Sequence, residues 1–371
     1  MLNIQRKLFP SIEEVLGPLT EKHRQLIKTL EILQVESFVK LTRGYRGRPL
    51  EDRQALARSF VAKAVYNISQ TKGLMDRLKT DTSLRQLCGF DSIRNIPSKA
   101  TFSRAFDEFS KTRLPQVVLD ALIIKSLGHR LLGHISRDST AIEAREKPQA
   151  KPGYQEKRAK SKHHKGRPKK DEIREKETTR IEKQLDMGLD EMLAYLPRCC
   201  DVGVKKDSKG YKKTWTGYKL HIDAADGDIP ISCVLTSASV HDSQVAIPLA
   251  TMTHQKVINL YDLMDAAYDS PEIKAHSLRL NHIPIIDVNP RRNQELKEHM
   301  LAEGKKEKVL NFKTPQKVRY NQRSSVERVN SRLKDEFGGR NIRVKGNLKI
   351  MAHLMFGILA LTADQLMKYV I

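Results

Sequence analysis

Arg319-Tyr320-Asn321-Gln322-Arg323-Ser324-Ser325-Val326-Glu327-Arg328-Val329-Asn330-Ser331-Arg332-Leu333-Lys334 is the stretch from which the rest of the chain can be read. Wound as an α-helix with Tyr320 at zero, it places Arg323 at roughly 300°, Glu327 at roughly 340° and Lys334 at roughly 320°. One carboxylate, two cations and a phenol therefore share an arc of roughly 60°. Val326, Val329, Leu333 and Phe337 form the apolar stripe of the opposite side, which anchors such a helix in a core. Gly338-Gly339 supplies a C-terminal stop. An acid set among cations on one face suits a metal ligand beside phosphate binders.

Working back towards the N-terminus, Val257 to Asp265 is a near-continuous apolar run, as a central strand requires, and Ile283 to Val288 is a second buried strand. Ser270-Pro271-Glu272 starts a helix between them, with Pro at its first position. Thr214 to Ala224 alternates like a strand, Asp226-Gly227-Asp228 is a hairpin turn signal, and Ile229 to Thr236 is the return strand. Asp242-Ser243 opens a helix through Leu249, Leu131 to Ala144 reads as a strand carrying Asp138, and Lys305 to Lys317 reads as a basic loop. This order predicts a mixed α/β domain with one central sheet flanked by helices, over residues 126–371. Residues 1–125 read as a small all-α N-terminal domain. Ser11 to Lys40 carries apolar positions at helical spacing, Leu56, Phe60, Ala64 and Ile68 step along one face of a second block, and Ser98 to Phe109 is a further helix. Thr101, Ser103, Arg104 and Lys111 are candidates to face a phosphate backbone; an ordinary helical bundle fits the region nearly as well.

The charge is one-sided. In 371 residues, 67 Lys+Arg stand against 44 Asp+Glu, a net charge of +23, and nucleic acid is the first partner such a chain predicts. The apolar run from Ile350 to Ala363 contains His353 and Thr362 and reads as too short to span a bilayer, so no membrane partner is expected. The N-terminal residues lack the apolar core of a signal peptide, and Cys88, Cys199, Cys200 and Cys233 form neither a C-x-x-C pair nor a secreted framework. A cytoplasmic, nucleoid-associated protein with reduced thiols is the expectation. From about 145 to 200 the composition predicts a basic, flexible insert. Arg145 to Lys183 holds 15 Lys/Arg against 7 Asp/Glu, with few aliphatics to order it. Within it, Lys165-Gly166-Arg167-Pro168-Lys169-Lys170 resembles a minor-groove hook in which Arg167 enters a narrow A·T-rich groove, although a solvated basic linker is the simpler reading.

Asp138, Asp265 and Glu327 are the acids that two strands and the late helix bring into question. Carboxylates suit Mg²⁺ or Mn²⁺, and two such ions serve in-line phosphodiester displacement by activating a hydroxyl and stabilising the leaving oxygen. Spacing alone singles out no trio among 44 acids. The rivals nearby have simpler roles. Asp262 is three residues from Asp265 and faces the other side of a strand. Asp269 before Ser270-Pro271 and Asp242 beside His241 read as helix caps. Asp223 reads as a strand-end or turn residue, and Glu143 is a weaker metal candidate.

These motifs resemble a DDE transposase of bacterial insertion sequences, a family with the ribonuclease-H-like fold of retroviral integrases. The signature Tyr-x2-Arg-x3-Glu-x6-Lys is met at Tyr320, Arg323, Glu327 and Lys334 without adjustment. Arg137-Asp138-Ser139-Thr140 and Asp265-Ala266-Ala267-Tyr268-Asp269-Ser270 resemble the first and second acid motifs. Gly217-Tyr218-Lys219-Leu220-His221 and Val240-His241-Asp242-Ser243 resemble the intervening strands, and Arg46-Gly47-Arg48-Pro49 through Ser98 to Arg104 resembles the helical N-terminal region. The resemblance covers most of residues 45–360 apart from the insert. It implies metal ligation by Asp138, Asp265 and Glu327, two Mg²⁺ ions (or Mn²⁺), and phosphate contacts from Tyr320, Arg323 and Lys334. It further implies cleavage at terminal inverted repeats in double-stranded DNA, joining of the 3′-OH to target DNA, and a homodimer in the DNA complex. A nuclease without strand transfer and an inactive DNA-binding relic are the alternatives. The chain departs from relatives whose insertion between the second Asp and the Glu carries a base-stacking tryptophan. Its one tryptophan, Trp215, precedes Asp265, and no Lys-Gly follows that acid.

Overall fold

The computed structural model describes residues 14, 16–39, 51–149, 178–206, 210–290 and 293–370. Arg46-Gly47-Arg48-Pro49, and Arg167 with its Gly-Arg-Pro surroundings, lie outside the described residues.

Six strands form one sheet among the described residues: β1 (Leu131–Glu143), β2 (Asp201–Lys206), β3 (Lys212–Ala225), β4 (Ile229–Ser237), β5 (Ile258–Met264) and β6 (Ile283–Ile286). β3 pairs antiparallel with β1 and β4. β5 joins the other edge of β1 in parallel, and β6 follows in parallel on β5. The β3–β4 hairpin turns where expected, because Gly227 (φ +78°) and Asp228 (φ +59°) supply the two left-handed conformations that a tight turn needs. Every residue of β4 is buried, so no polar alternation marks it.

The N-terminal part is helical: α1 (Glu21–Leu33), α2 (Arg53–Val65), α3 (Thr71–Thr80), α4 (Thr82–Cys88), α5 (Lys99–Lys111) and α6 (Leu114–Leu127). Asp52, Asp81 and Ser98 start α2, α4 and α5 by accepting backbone N–H groups. Phe60 of α2 lies 5.0 Å from Phe106 and 6.0 Å from Phe102, ring centroid to centroid, and 5.7 Å from Phe356 of the C-terminal helix. The boundary expected between 125 and 126 thus falls inside α6, and one apolar core runs from Leu26 and Leu56 to Ile222, Val329 and Leu366.

The remaining helices are α7 (Arg180–Gln184), α8 (Leu189–Tyr195), α9 (Ser243–His254), α10 (Pro271–Arg279), α11 (Gln294–Leu310), α12 (Pro315–Tyr320), α13 (Ser324–Asp335) and α14 (Asn347–Val370). α14 packs on α1, α2, α5, α6 and β4. It is 24 residues long and extends the apolar run Ile350 to Ala363 at both ends. By length and composition it could cross a membrane, but 83% of its apolar window is buried inside the protein, as in a core helix. The loop expected over 305–317 is largely helix. α11 has no buried residue, so no apolar stripe announces it, and good helix formers with an Asn293 cap carry it instead. The four cysteines are free.

Candidate active site

The late helix is not one regular piece. α12 ends at Tyr320, residues Asn321–Arg323 make a 3-10 turn, and α13 begins at Ser324. The tighter turn rotates Tyr320 relative to α13 but keeps it beside Arg323, whose guanidinium carbon lies 5.9 Å from the Tyr320 ring centroid. Val326, Val329, Leu333 and Phe337 are buried as the stripe predicts. At the C-terminal stop, Gly338 takes φ +84° and the Gly339 N–H donates to the Leu333 carbonyl at 2.9 Å.

α13 packs across β1 and β3, and the Ser136 hydroxyl of β1 donates to the Gln322 carbonyl at 3.3 Å. The last bonded pair between β1 and β5 is Ser136 with Leu263. Two residues beyond that pair on each side, Asp138 of β1 is level with Asp265, the residue after β5, on the face that α13 covers. Asp265 immediately follows β5, and its Oδ1 accepts the Ala267 N–H at 2.9 Å, which fixes the carboxylate at the strand's C-terminal end.

Burial pushes the Asp138 carboxyl up to about 6, and the charge of Asp265 adds to the rise. The Ser139 N–H, Arg323 and Lys205 work against it. Asp265 is raised as well, first by burial and then by the charge of Asp242, with the Ala267 N–H, Arg323 and Lys205 opposing. Two half-buried carboxylates that disfavour their own ionisation form a donor set that a hard divalent cation fits.

Glu327 stands apart from this pair. It is exposed, and its Oε1 accepts from Arg323 Nη2 at 2.5 Å. Among the described residues no three His, Cys, Asp or Glu side chains are grouped closely enough to hold a metal ion. Arg323 is the link, since it bonds Glu327 while its charge also acts on Asp138 and Asp265. Lys334, about two turns beyond Glu327, is half-buried and lowered by burial, then by Arg340.

The rivals resolve individually. Asp262 is on the opposite face, as expected, bonded to His282 Nδ1 (3.3 Å) and Asn259 Nδ2 (3.0 Å). Asp269 does not cap α10; it pairs with Lys274 at 2.6 Å and accepts the Asn289 N–H at 3.0 Å. Asp242 occupies the start of α9 without a side-chain cap bond, and instead accepts from Ser139 Oγ (2.9 Å) and Lys219 Nζ (3.0 Å). Asp223 is no strand-end residue but lies wholly buried within β3, paired with Arg137. Sequence reasoning missed Lys205, whose charge reaches both acids from β2, and nothing in its local pattern distinguished it from its neighbouring lysines. A cavity of about 890 Å³, lined by Leu30, Leu122, Arg130, Leu366 and Tyr369, lies elsewhere.

Two family matches are found. Residues 177–363, half of the chain, match the transposase DDE domain, a span that includes Asp265, Tyr320, Arg323, Glu327 and Lys334 but begins after Asp138. Residues 13–108 match the transposase domain DUF772. No curated protein and no solved structure matches the chain. The DDE domain implies the ribonuclease-H-like fold, and the chain shows its mixed sheet, flanked by helices and preceded by a helical region.

Proposed function

The chain belongs to the DDE transposase family, and from that premise we propose that it cuts the ends of an insertion sequence and joins the freed 3′-OH to target DNA. The observation that carries this reading is the level placement of Asp138 and Asp265 beneath the helix that bears Glu327.

In the proposed reaction Asp138, Asp265 and Glu327 would hold Mg²⁺ or Mn²⁺, once the Glu327 carboxylate gives up its Arg323 partner. When bound, a divalent cation supplies charge that activates a hydroxyl and offsets the charge gathering on the phosphate. Arg323, freed from Glu327, and Lys334 hold the non-bridging phosphate oxygens, and the Tyr320 hydroxyl donates to a neighbouring phosphate. Water attacks phosphorus, the P–O3′ bond breaks, and the 3′ oxygen leaves as a hydroxyl after gaining a proton. That hydroxyl then attacks a target phosphodiester, one P–O bond forming as another P–O3′ bond breaks, so no covalent enzyme intermediate is needed. Two ends handled together call for a homodimer on DNA. The basic segment around Arg167 lies outside the described residues and is proposed as a minor-groove contact.

A joining assay tests this reading. Incubated with Mg²⁺, a pre-cleaved end duplex and a supercoiled plasmid, the protein is expected to yield end–plasmid joints. Cleavage of intact ends without joints identifies a nuclease instead, and metal-independent binding with neither product identifies an inactive relic.

A further inference from the structure

The segment joining α13 to α14 has no regular secondary structure, yet it is held at both ends and in its middle. At the end of α13, Arg340 Nε donates to Asp335 Oδ1 at 3.0 Å. Ile342 sits in the core and Val344 packs against it, while Asn341, Arg343 and Lys345 are exposed. Burial therefore alternates with the period of an extended backbone. The Gly346 N–H then donates to Glu146 Oε1 at 2.7 Å, and Glu146 also accepts from the Tyr218 hydroxyl at 3.3 Å. Among the described residues neither Arg343 nor Lys345 has a carboxylate within ion-pair distance. Two cations are thus held outward, roughly 7 Å apart along the chain, and nothing within the described protein uses them.

Hydrogen bonds place this segment relative to the acids. Just before α13, the Gln322 carbonyl is bonded to Ser136 of β1, and α13 then packs along β1 and β3. The far end of the segment is tied to Glu146, just past the end of β1. At about 3.3 Å per residue, at most roughly 26 Å of chain separates Asp138 from Glu146, a span of roughly eight base pairs at about 3.4 Å each. Lys334, on the line of α13 that carries Glu327, lies between the acids and the segment. Beyond Lys345 the cations continue. Lys349 of α14 and Lys111 of α5 share Asp107, at 3.0 and 2.7 Å, and Arg104, one turn before Asp107 on α5, is exposed. Asp107 offsets part of that charge, whereas Arg343 and Lys345 keep theirs.

We propose that the segment from Arg340 to Lys345 is a fixed phosphate rail for duplex DNA. Arg343 and Lys345 hold backbone phosphates of a duplex that runs from the cut along α13, past Lys334 and on towards α5. The position of the rail relative to the cut rests on the transposase reading, but its test needs no catalysis. The Arg343 guanidinium presents a fork that matches two phosphate oxygens, and the Lys345 ammonium adds a point charge beside it. Because Ile342, Val344 and Gly346 fix the backbone in advance, little chain entropy is lost on binding. Contacts of this kind set the register of the duplex and read no bases.

The test is anisotropy of a labelled end duplex with the full chain in EDTA, across a salt series. Arg343→Gln/Lys345→Gln is expected to lower the slope of log K against log salt by about 1.8, at about 0.9 for each phosphate contact. Its melting temperature is expected to be unchanged, since both side chains are exposed. Neutral methylphosphonate linkages, placed one at a time along the duplex, locate the contacts. Those within roughly eight base pairs of the cut are expected to weaken binding by wild type and to leave the double variant indifferent. An unchanged slope, or equal sensitivity of the two proteins at every linkage, overturns the rail. A lowered slope in a protein that forms no joints upholds the rail and overturns the joining reaction.

Discussion

Asp138→Asn, Asp265→Asn and Glu327→Gln each lower strand cleavage and joining by at least about 10³-fold at saturating Mg²⁺ and neutral pH. Each removes one oxygen ligand from a site whose charge is worth several kcal/mol to the transition state, and about 1.4 kcal/mol is a tenfold change in rate. The loss is not a folding defect, and pH separates the two. Burial raises the folded Asp138 carboxyl to about 6, above its ordinary unfolded value, so its charged form is disfavoured in the folded protein. The cost is absent at about pH 4, grows as pH rises through about 6, and is complete above that. Metal-free Asp138→Asn is therefore expected to melt higher than wild type at pH 8, with the gain shrinking to nothing as pH falls towards 4. Amide variants that cut as fast as wild type, or an Asp138→Asn protein less stable at pH 8, contradict the assignment.

Arg137→Met is expected to destabilise the fold by about 3–5 kcal/mol, while Arg137→Met/Asp223→Leu costs much less. Arg137 lies beside Asp138 in sequence but on the opposite face of β1. Its Nε and Nη2 reach Asp223 Oδ1 and Oδ2 at 2.8 and 2.7 Å, with both side chains essentially inaccessible. Thr253 Oγ1 donates to the same carboxylate at 2.7 Å, and Met264 Sδ lies 3.3 Å from Arg137 Nη1. Removing the guanidinium alone leaves a buried, uncompensated charge; removing both partners leaves an apolar gap the core can fill. Urea unfolding of the two proteins reads the difference. Equal losses in single and double variants would show that packing, and not charge pairing, dominates there. Because the pair ties β1 to β3 beneath the acids, the single variant also perturbs the level placement of Asp138 and Asp265.

The parts of the chain that were legible carry short-range signals. The strands around Asp138 and Asp265, the Asp226-Gly227-Asp228 hairpin and the stripe Val326, Val329, Leu333 and Phe337 each follow from a period or a turn rule. What failed depends on long-range partners. Asp223 looks like any strand-end acid until Arg137 is placed opposite it, and Asp242 looks like a cap until Ser139 and Lys219 arrive. α11 lacks a buried face, so periodicity had nothing to detect. The helical angles of Arg323, Glu327 and Lys334 put them on one side but did not foresee that Arg323 would engage Glu327 while its charge acts on the acid pair.

Asp138, Asp265 and Glu327 are proposed to hold one metal site when DNA is bound. Fe²⁺ placed in that site generates hydroxyl radicals that cut the nearby backbone. With end DNA, ascorbate and peroxide, protein fragments terminating near 138, 265 and 327 are expected, suppressed by excess Mg²⁺ and absent in Asp265→Asn. Cuts near 138 and 265 with none near 327, in the presence of DNA, would contradict it.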